Sequence, residues 1–174
     1  MRPFPWLSYV AALLLAPTLA AATPRTVRLT PPTAALAIRA YAMGLVPVDG
    51  RFARFEGTLT YDPEQAGRCT ATVIAQVDSI KVDSTAIRAA ILGADFLDAT
   101  RFPTLRFTGT CTGPDAAEGR LTLRGVTRPL GTTLAWTQHS LVTEADIRRA
   151  SWGMDARPLM VGPVIRIRLT AALP

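Results

Sequence analysis

Two runs of alternating apolar and polar residues constrain the fold of this chain most strongly. Residues 50–63 read GRFARFEGTLTYDP, and residues 121–130 read LTLRGVTRPL. Alternation with a period of two places successive side chains on opposite faces of a β-strand. Glycine and proline punctuate both runs at positions where strands turn or end. The pattern predicts an antiparallel all-β fold with one apolar inner face.

The first 22 residues predict a secretory signal peptide that is removed from the mature protein. Arg2 supplies the positive start, residues 10–16 form a short apolar stretch, and Ala20–Ala22 provide small residues for cleavage. An uncleaved membrane anchor is the alternative, but Pro17 interrupts an apolar run that is shorter than the roughly 20 residues a spanning helix needs. We expect residues 23–174 to form one domain.

The charge is positive and carried almost wholly by arginine. The chain has 19 Lys and Arg against 13 Asp and Glu, a formal net charge of +6, and Lys81 is its one lysine. The arginines are scattered singly, with no basic block, so nucleic acid is not an expected partner. They fit either solvated strand faces or an affinity for anionic lipid headgroups.

Two cysteines fall on strands that can pair. Cys69, Ala71, Val73 and Val77 share one face of a predicted strand, and Cys111 shares a face with Phe107. If Val77 pairs antiparallel with about residue 103, Cys69 lies opposite Cys111. A disulfide is therefore favoured in an exported protein. Two buried free thiols that pack as small hydrophobes are the alternative.

The remaining elements follow from periodicity and turn residues. Strands are predicted over 26–29, 34–41, 51–61, 68–80, 103–111, 119–124, 130–138, 141–149 and 164–171, with a bend or bulge at Gly57. Residues 44–50 read as a turn, residues 62–67 as a hairpin loop and residues 154–163 as a loop. A short α-helix is predicted over 84–92, capped by Asp83 or Ser84 and ended by Gly93. About eight strands at hairpin spacing fit a barrel or a sandwich. Periodicity alone does not separate a filled core from a pocket.

No catalytic or metal-binding pattern stands out. His139, the one histidine, is followed directly by Ser140, and adjacent residues of a strand point to opposite faces. A hydrolase arrangement with Asp146 is therefore disfavoured. Cysteine, histidine and carboxylate residues show no metal-ligand spacing, and no glycine-rich loop precedes a helix. We expect no enzyme activity, no metal and no cofactor.

Several collinear motifs resemble the YceI-like family. They include Gly50–Phe52, Tyr61–Pro63, Asp95–Asp98, Phe102–Thr104, Leu121–Pro129, and Arg149 followed by Trp152–Gly153. The resemblance runs from about residue 27 to 171. It implies a lipocalin-like antiparallel β-barrel of about eight strands with helix 84–92 as its lid. It also implies a periplasmic, non-enzymatic protein that binds or carries a polyisoprenoid or similar amphiphilic lipid.

Three departures from the family pattern concern polar groups. Residues 30–34 replace an Asp-Pro-x-His-Ser-like segment, Tyr41 stands where the family commonly has histidine, and residues 87–91 lack the polar helix residues of relatives. If these polar groups bind the headgroup of the lipid in relatives, we expect this protein to prefer a less polar lipid or to hold no ligand.

A barrel of this kind predicts a definite lipid site. Twelve side chains are expected to line it: Ile38, Phe52, Phe55, Val73, Val77, Ile91, Phe96, Phe107, Leu123, Trp136, Trp152 and Ile167. Arg51, Arg54 and Arg88 are headgroup candidates, because guanidinium groups bind phosphate oxygens in pairs. The alternative function is a ligand-free structural or interaction barrel with a packed interior and an arginine-rich outer face. We expect no stable membrane insertion, and the sequence leaves a homodimer open.

Overall fold

The computed structural model describes residues 23–174, so the predicted signal peptide lies outside the described residues. Eleven strands and one α-helix make up the fold. The strands are β1 Arg25–Arg28, β2 Ala34–Ala42, β3 Val46–Phe52, β4 Phe55–Asp62, β5 Gln65–Gln76, β6 Ile80–Lys81, β7 Thr104–Cys111, β8 Ala116–Leu123, β9 Val126–Trp136, β10 Ser140–Arg148 and β11 Val164–Ala172. The helix is α1, Thr85–Leu92.

All strands belong to one antiparallel sheet in the order β1-β4-β5-β7-β8-β9-β10-β11-β2-β3-β6. The sheet curls so that its two ends approach each other. Two short connections run between these ends: residues 29–33 join β1 to β2, and Ala53 with Arg54 joins β3 to β4. Across that break, Ala53 N donates to Ser79 O (3.1 Å) and Gln76 N donates to Arg54 O (3.0 Å). The predicted lipocalin-like antiparallel barrel is confirmed.

The strand count, eleven against about eight, and several strand boundaries differ from prediction, and two of these differences have a clear cause. Residues 44–50 were expected to turn, but β3 begins at Val46, and the turn occupies Met43–Leu45 with positive φ at Met43 and Gly44. Pro47 is tolerated because the pairing of β3 with β6 is confined to residues 51 and 52, which leaves one side of Pro47 without a strand partner. The predicted strand 51–61 breaks at residues 53–54, where the chain passes from one end of the sheet to the other.

The predicted irregularity at Gly57 is wrong. Gly57 pairs with Val73 in an unbroken register, and the register shifts instead between Tyr61 and Asp62. Glycine is required at residue 57 for a different reason. A Cβ atom there would lie 2.3 Å from the carbonyl oxygen of Thr72 on the neighbouring strand.

The helix begins and ends where the sequence predicts. Ser84 Oγ accepts a hydrogen bond from Ile87 N (3.3 Å), which caps the first turn, and Gly93 follows the last residue. Ile91 and Leu92 pack against both hydrophobic clusters of the core. The helix therefore covers one end of the barrel.

The disulfide between Cys69 and Cys111 is confirmed, with their Cα atoms 4.9 Å apart. The predicted register is correct as well, because Thr70 pairs with Thr110 and Val77 N donates to Pro103 O (2.9 Å). We call this the disulfide end; it also carries the turns at residues 63–64, 112–115 and 137–139. The opposite helix end carries α1, the turns at 43–45 and 124–125, and residues 149–163.

Candidate functional site

The barrel encloses an inner cavity of about 130 Å³. Inward side chains of β2 to β5 and β7 to β11 form most of its wall, and nearly all of them are apolar. They include Leu36, Val73, Leu105, Phe107, Leu121, Leu134, Leu141, Ile147, Ile167 and Leu169. The polar residues of the wall are Thr132, Thr143 and Glu144, and the Glu144 carboxylate pairs with Arg168 (3.2 Å). Such a space suits a hydrocarbon chain and offers few partners to water.

A second cavity, the mouth cavity, measures about 210 Å³ and lies at the helix end. Helix α1, the ends of β2 and β3, and the loop after Gly153 surround it. Its wall includes Ala40, Tyr41, Val48, Ile87, Ile91, Phe96, Arg157, Met160 and Val161. A hydrocarbon chain bound inside the barrel would meet solvent at the mouth cavity.

The two cavities adjoin, because Ile38, Leu97, Met154 and Ile165 line both. Met154 is 1% exposed and Leu97 is 8% exposed, so both side chains are held inside the barrel. Methionine has three rotatable side-chain bonds and adapts to irregular spaces. Met154 therefore places an adaptable side chain where the two cavities adjoin.

A pair of glycines shapes the wall of the inner cavity. Gly109 and Gly119 lie directly opposite each other on β7 and β8. A Cβ atom on either would come within 2.7 Å of Phe107 Cζ. The Phe107 ring thus rests over the two glycines and lies against the wall.

Buried Arg149 fixes the loop that bounds the mouth cavity. Arg149 is 3% exposed, and its side chain donates hydrogen bonds only to backbone carbonyls. Nε donates to Gly162 O (2.9 Å), Nη2 to Val161 O (3.0 Å), and Nη1 to Ala156 O (2.8 Å) and Met154 O. One guanidinium thereby satisfies four carbonyls of a segment that has no strand partner for most of its length.

Eight of the twelve predicted lining residues lie on the two cavities. Phe52, Val73, Phe107, Leu123 and Ile167 line the inner cavity, Ile91 and Phe96 line the mouth cavity, and Ile38 lines both. The other four lie in the packed walls. Phe55 and Val77 are buried in the core, Trp152 packs in the cluster beneath the helix end, and Trp136 packs on Tyr61 with ring centroids 5.5 Å apart.

The three predicted headgroup arginines lie outside both cavity walls. Arg54 forms an ion pair with Asp78 (2.7 Å) on the outer surface. Arg88 donates to Ile80 O (2.8 Å) and Asp78 O (2.5 Å) and so ties α1 to the chain before it. Arg51 is exposed on β3.

The polar side chains that do line the mouth cavity are Tyr41 and Arg157, which sequence reasoning did not select. Arg157 has a positive φ of 53° and lies 3.7 Å from Asp95, with its side chain 54% exposed. The loop around it has no periodicity, so its position gave no signal in the sequence. The family departure at Tyr41 was the one available signal for that residue.

The outer face near the helix end carries charged side chains that form ion pairs with one another. Asp146, Arg166, Arg39 and Asp49 form one row across four strands. Arg39 Nε lies 2.6 Å from Asp49, and Arg166 Nε lies 2.8 Å from Asp146. These hydrogen bonds lower the pKa of both aspartates, so the row stays fully charged and internally paired at neutral pH.

Other possible sites receive no support within residues 23–174. His139 is exposed in the β9–β10 turn at the disulfide end, away from the mouth cavity. No group of three histidine, cysteine or carboxylate side chains in the described part of the chain is arranged to hold a metal ion. Over the same residues, no helix has the length and apolar character needed to cross a membrane.

Residues 28–173 match the family model of the YceI-like domain. A UPF0312 protein of Vibrio cholerae is 34% identical over 95 residues, which cover 51% of this chain and 49% of that protein. The chain therefore spans about half the length of the curated relatives that it matches first.

Solved structures share the fold at lower identity. BcnA of Burkholderia cenocepacia aligns with a TM-score of 0.67 and 19% identity, over 81% of this chain and 96% of that one. A polyisoprenoid-binding domain from Saccharophagus degradans aligns with a TM-score of 0.59 and 15% identity, over 81% and 94% of the two chains.

Proposed function

This chain belongs to the YceI-like domain family, and we propose that it is a non-enzymatic protein that binds a long-chain isoprenoid or similar amphiphilic lipid. The hydrocarbon would occupy the inner cavity, and the polar end would lie in the mouth cavity. The observation that carries this proposal is an apolar space inside the barrel that adjoins a second space under α1.

Hydrocarbon burial supplies enough free energy for such binding. Each buried methylene contributes about 0.8 kcal/mol, so one isoprene unit contributes about 3 to 4 kcal/mol before ordering costs. The leucine, isoleucine and phenylalanine side chains of the wall make no directional contacts with the hydrocarbon chain of the lipid. We expect selectivity for length and flexibility rather than for a particular sequence of polar groups.

The polar end has two candidate partners in the mouth cavity. Arg157 offers an exposed guanidinium held near Asp95 at 3.7 Å, and Tyr41 offers a phenolic hydroxyl. We propose that these two residues, in place of Arg51, Arg54 and Arg88, meet the headgroup. A guanidinium forms paired hydrogen bonds with phosphate oxygens, so a phosphate headgroup would fit Arg157.

The proposed location is the periplasm. The signal peptide predicted for residues 1–22 and the Cys69–Cys111 disulfide both fit a protein that folds in an oxidising compartment. A carrier or storage protein for a lipid needs no catalytic group. Thr143 and Glu144 are neighbours on the inner wall, but adjacent residues of a strand point to opposite faces, and Glu144 pairs with Arg168 (3.2 Å).

Filling the inner cavity with a side chain tests the proposal. Ala145 lies on the inner wall at β10, so Ala145→Phe places a ring in the space that the lipid would use. The probe is geranylgeraniol, titrated into delipidated protein and followed by tryptophan emission. We expect the affinity to fall at least about tenfold, because the ring displaces roughly one isoprene unit.

The matched control is Ala135→Phe, which adds the same ring to the exposed outer face of the neighbouring strand β9. Its affinity should equal that of the unaltered protein. Equal binding by both variants, or no saturable binding by the unaltered protein, would overturn the proposal and favour a barrel that works without a ligand.

A further inference from the structure

In the described part of the chain, large exposed hydrophobic side chains are confined to one end of the barrel. Within residues 23–174, the large ones are Tyr41, Met43, Leu45, Val46, Ile87, Val126, Leu159, Met160 and Val164. All nine lie at the helix end, and the turns of the disulfide end expose none. A segregation of this kind marks an interaction surface, since scattered single hydrophobes are the ordinary case.

Five of these side chains form a compact group that we call the apolar rim: Met43, Leu45, Val46, Leu159 and Met160. Leu159 is 91% exposed and Leu45 is 84% exposed. The rim joins the β2–β3 turn to the loop that follows Gly153. Met43 N donates to Met160 O (2.8 Å), and Gly162 N donates to Tyr41 O (2.7 Å).

The rim is held outward by the backbone. Arg149 donates to Val161 O (3.0 Å) and Gly162 O (2.9 Å), directly after Met160. Met160 N and Val161 N both donate to Arg157 O (3.0 Å). A loop anchored on both sides presents Leu159 to solvent as part of its folded structure, and its burial requires a partner.

The rim is continuous with the mouth cavity, because Met160 and its neighbour Val161 also line that cavity. A hydrocarbon chain that leaves the cavity passes directly over the rim. A bilayer is the occupant whose chemistry matches both the rim and such a chain. Leucine, methionine and valine also bring no buried hydrogen-bonding groups that a lipid surface would leave unsatisfied.

The charge of the protein fits an anionic bilayer. The chain carries a formal net charge of +6, or +5 without Arg2 of the predicted signal peptide. Arg148 and Arg157 are exposed at the helix end, together with Asp155 and with Asp95, which lies 3.7 Å from Arg157. The aspartates of the nearby row are paired with Arg39 and Arg166, so they present no free carboxylate to the lipid. Cationic proteins are attracted to anionic leaflets, and apolar side chains then fix the orientation.

We propose that the helix end docks on an anionic lipid bilayer through the apolar rim and holds the mouth cavity at the membrane surface. Contact is peripheral, limited to side chains of one turn and one loop. The biological sense of this docking rests on the proposed function, but the docking itself is measured separately.

The test is flotation with vesicles of phosphatidylethanolamine and phosphatidylglycerol, compared with vesicles of phosphatidylcholine alone. We expect the unaltered protein to float with the anionic vesicles. The double variant Leu45→Glu with Leu159→Glu should partition at least about tenfold more weakly, because two exposed leucine side chains no longer enter the lipid. Neither residue lines a cavity.

A charge-matched control separates apolar docking from simple attraction. Thr58→Glu with Thr110→Glu changes the net charge equally on exposed positions of β4 and β7. This pair should retain most of the vesicle binding. Equal loss in both double variants, undiminished binding of the rim variant, or no flotation of the unaltered protein would overturn the docking proposal.

Geranylgeraniol binding by the same proteins distinguishes the two proposals. Docking without geranylgeraniol binding would leave the docking proposal standing and remove the proposed function. Geranylgeraniol binding without docking would do the reverse. The rim variant should bind geranylgeraniol as the unaltered protein does.

Discussion

The two ends of the barrel are closed by different means. At the disulfide end, Cys69 is bonded to Cys111, Tyr61 packs on Trp136, and Leu59 and Ala171 are 1% exposed. At the helix end, α1 contains no fully buried residue and a cavity lies beneath it. The same alternating strands run through both ends. The closure, and not the strand pattern, decides whether the apolar interior is a core or a container.

We expect the disulfide end to contribute most to the stability of the protein and the helix end to contribute most to ligand binding. The disulfide end combines a covalent bond with dense packing, which is where resistance to unfolding is expected to lie. The helix end depends on backbone contacts of single side chains such as Arg149, and it leaves apolar surface exposed. Less stable regions of a protein are the ones that open for ligands.

Removing the disulfide should produce the largest effect on stability. Cys69 and Cys111 are separated by 42 residues, and the double variant Cys69→Ala with Cys111→Ala should lower the free energy of unfolding by about 4 kcal/mol. Denaturant unfolding with and without reductant measures this loss. Lipid binding by the folded variant should persist. A loss of binding as large as the loss of stability would show that the two ends are not separate in this sense.

Replacing Arg149 should affect both properties with a smaller loss of stability. Arg149→Met leaves four loop carbonyls without their donor, so we expect the free energy of unfolding to fall by about 2 to 3 kcal/mol. Geranylgeraniol affinity should fall as well, because the loop is a wall of the mouth cavity.

The neighbouring Arg148→Met is the control for this substitution. Arg148 is exposed at the end of β10, so its loss should change stability by less than about 0.5 kcal/mol. If the two variants behave alike in denaturant unfolding and in geranylgeraniol titration, Arg149 does not hold the loop as described.

The sequence predicted features that depend on local periodicity. The register of Cys69 with Cys111 followed from residue parity on two strands, and the helix followed from Ser84, Gly93 and the spacing between them. Strand β3 was missed because Pro47 and Asp49 are typical of turns. They are tolerated here because of how sparsely β3 pairs with β6, and the sequence does not show that pairing.

The sequence pattern predicted which side chains point into the barrel, but it did not predict which of them line a cavity and which pack in the core. Parity predicted that Val77 points inward, and Trp152 was expected to line the pocket, yet both pack in a buried cluster and neither lines a cavity. The role of Arg149 and the position of Arg157 depend on an aperiodic loop folding back on the barrel. The ion pair of Arg54 with Asp78 on the outer surface joins residues that lie 24 apart in the chain. Long-range partners of single side chains are not encoded in local pattern.

Organic extraction and mass spectrometry of natively purified protein would detect a bound lipid without any added probe. We expect one long-chain amphiphile per molecule, and its loss from the Ala145→Phe variant purified in the same way. A clean extract from the unaltered protein, together with no binding of added geranylgeraniol, would contradict the claim that the hollow of this barrel holds a lipid.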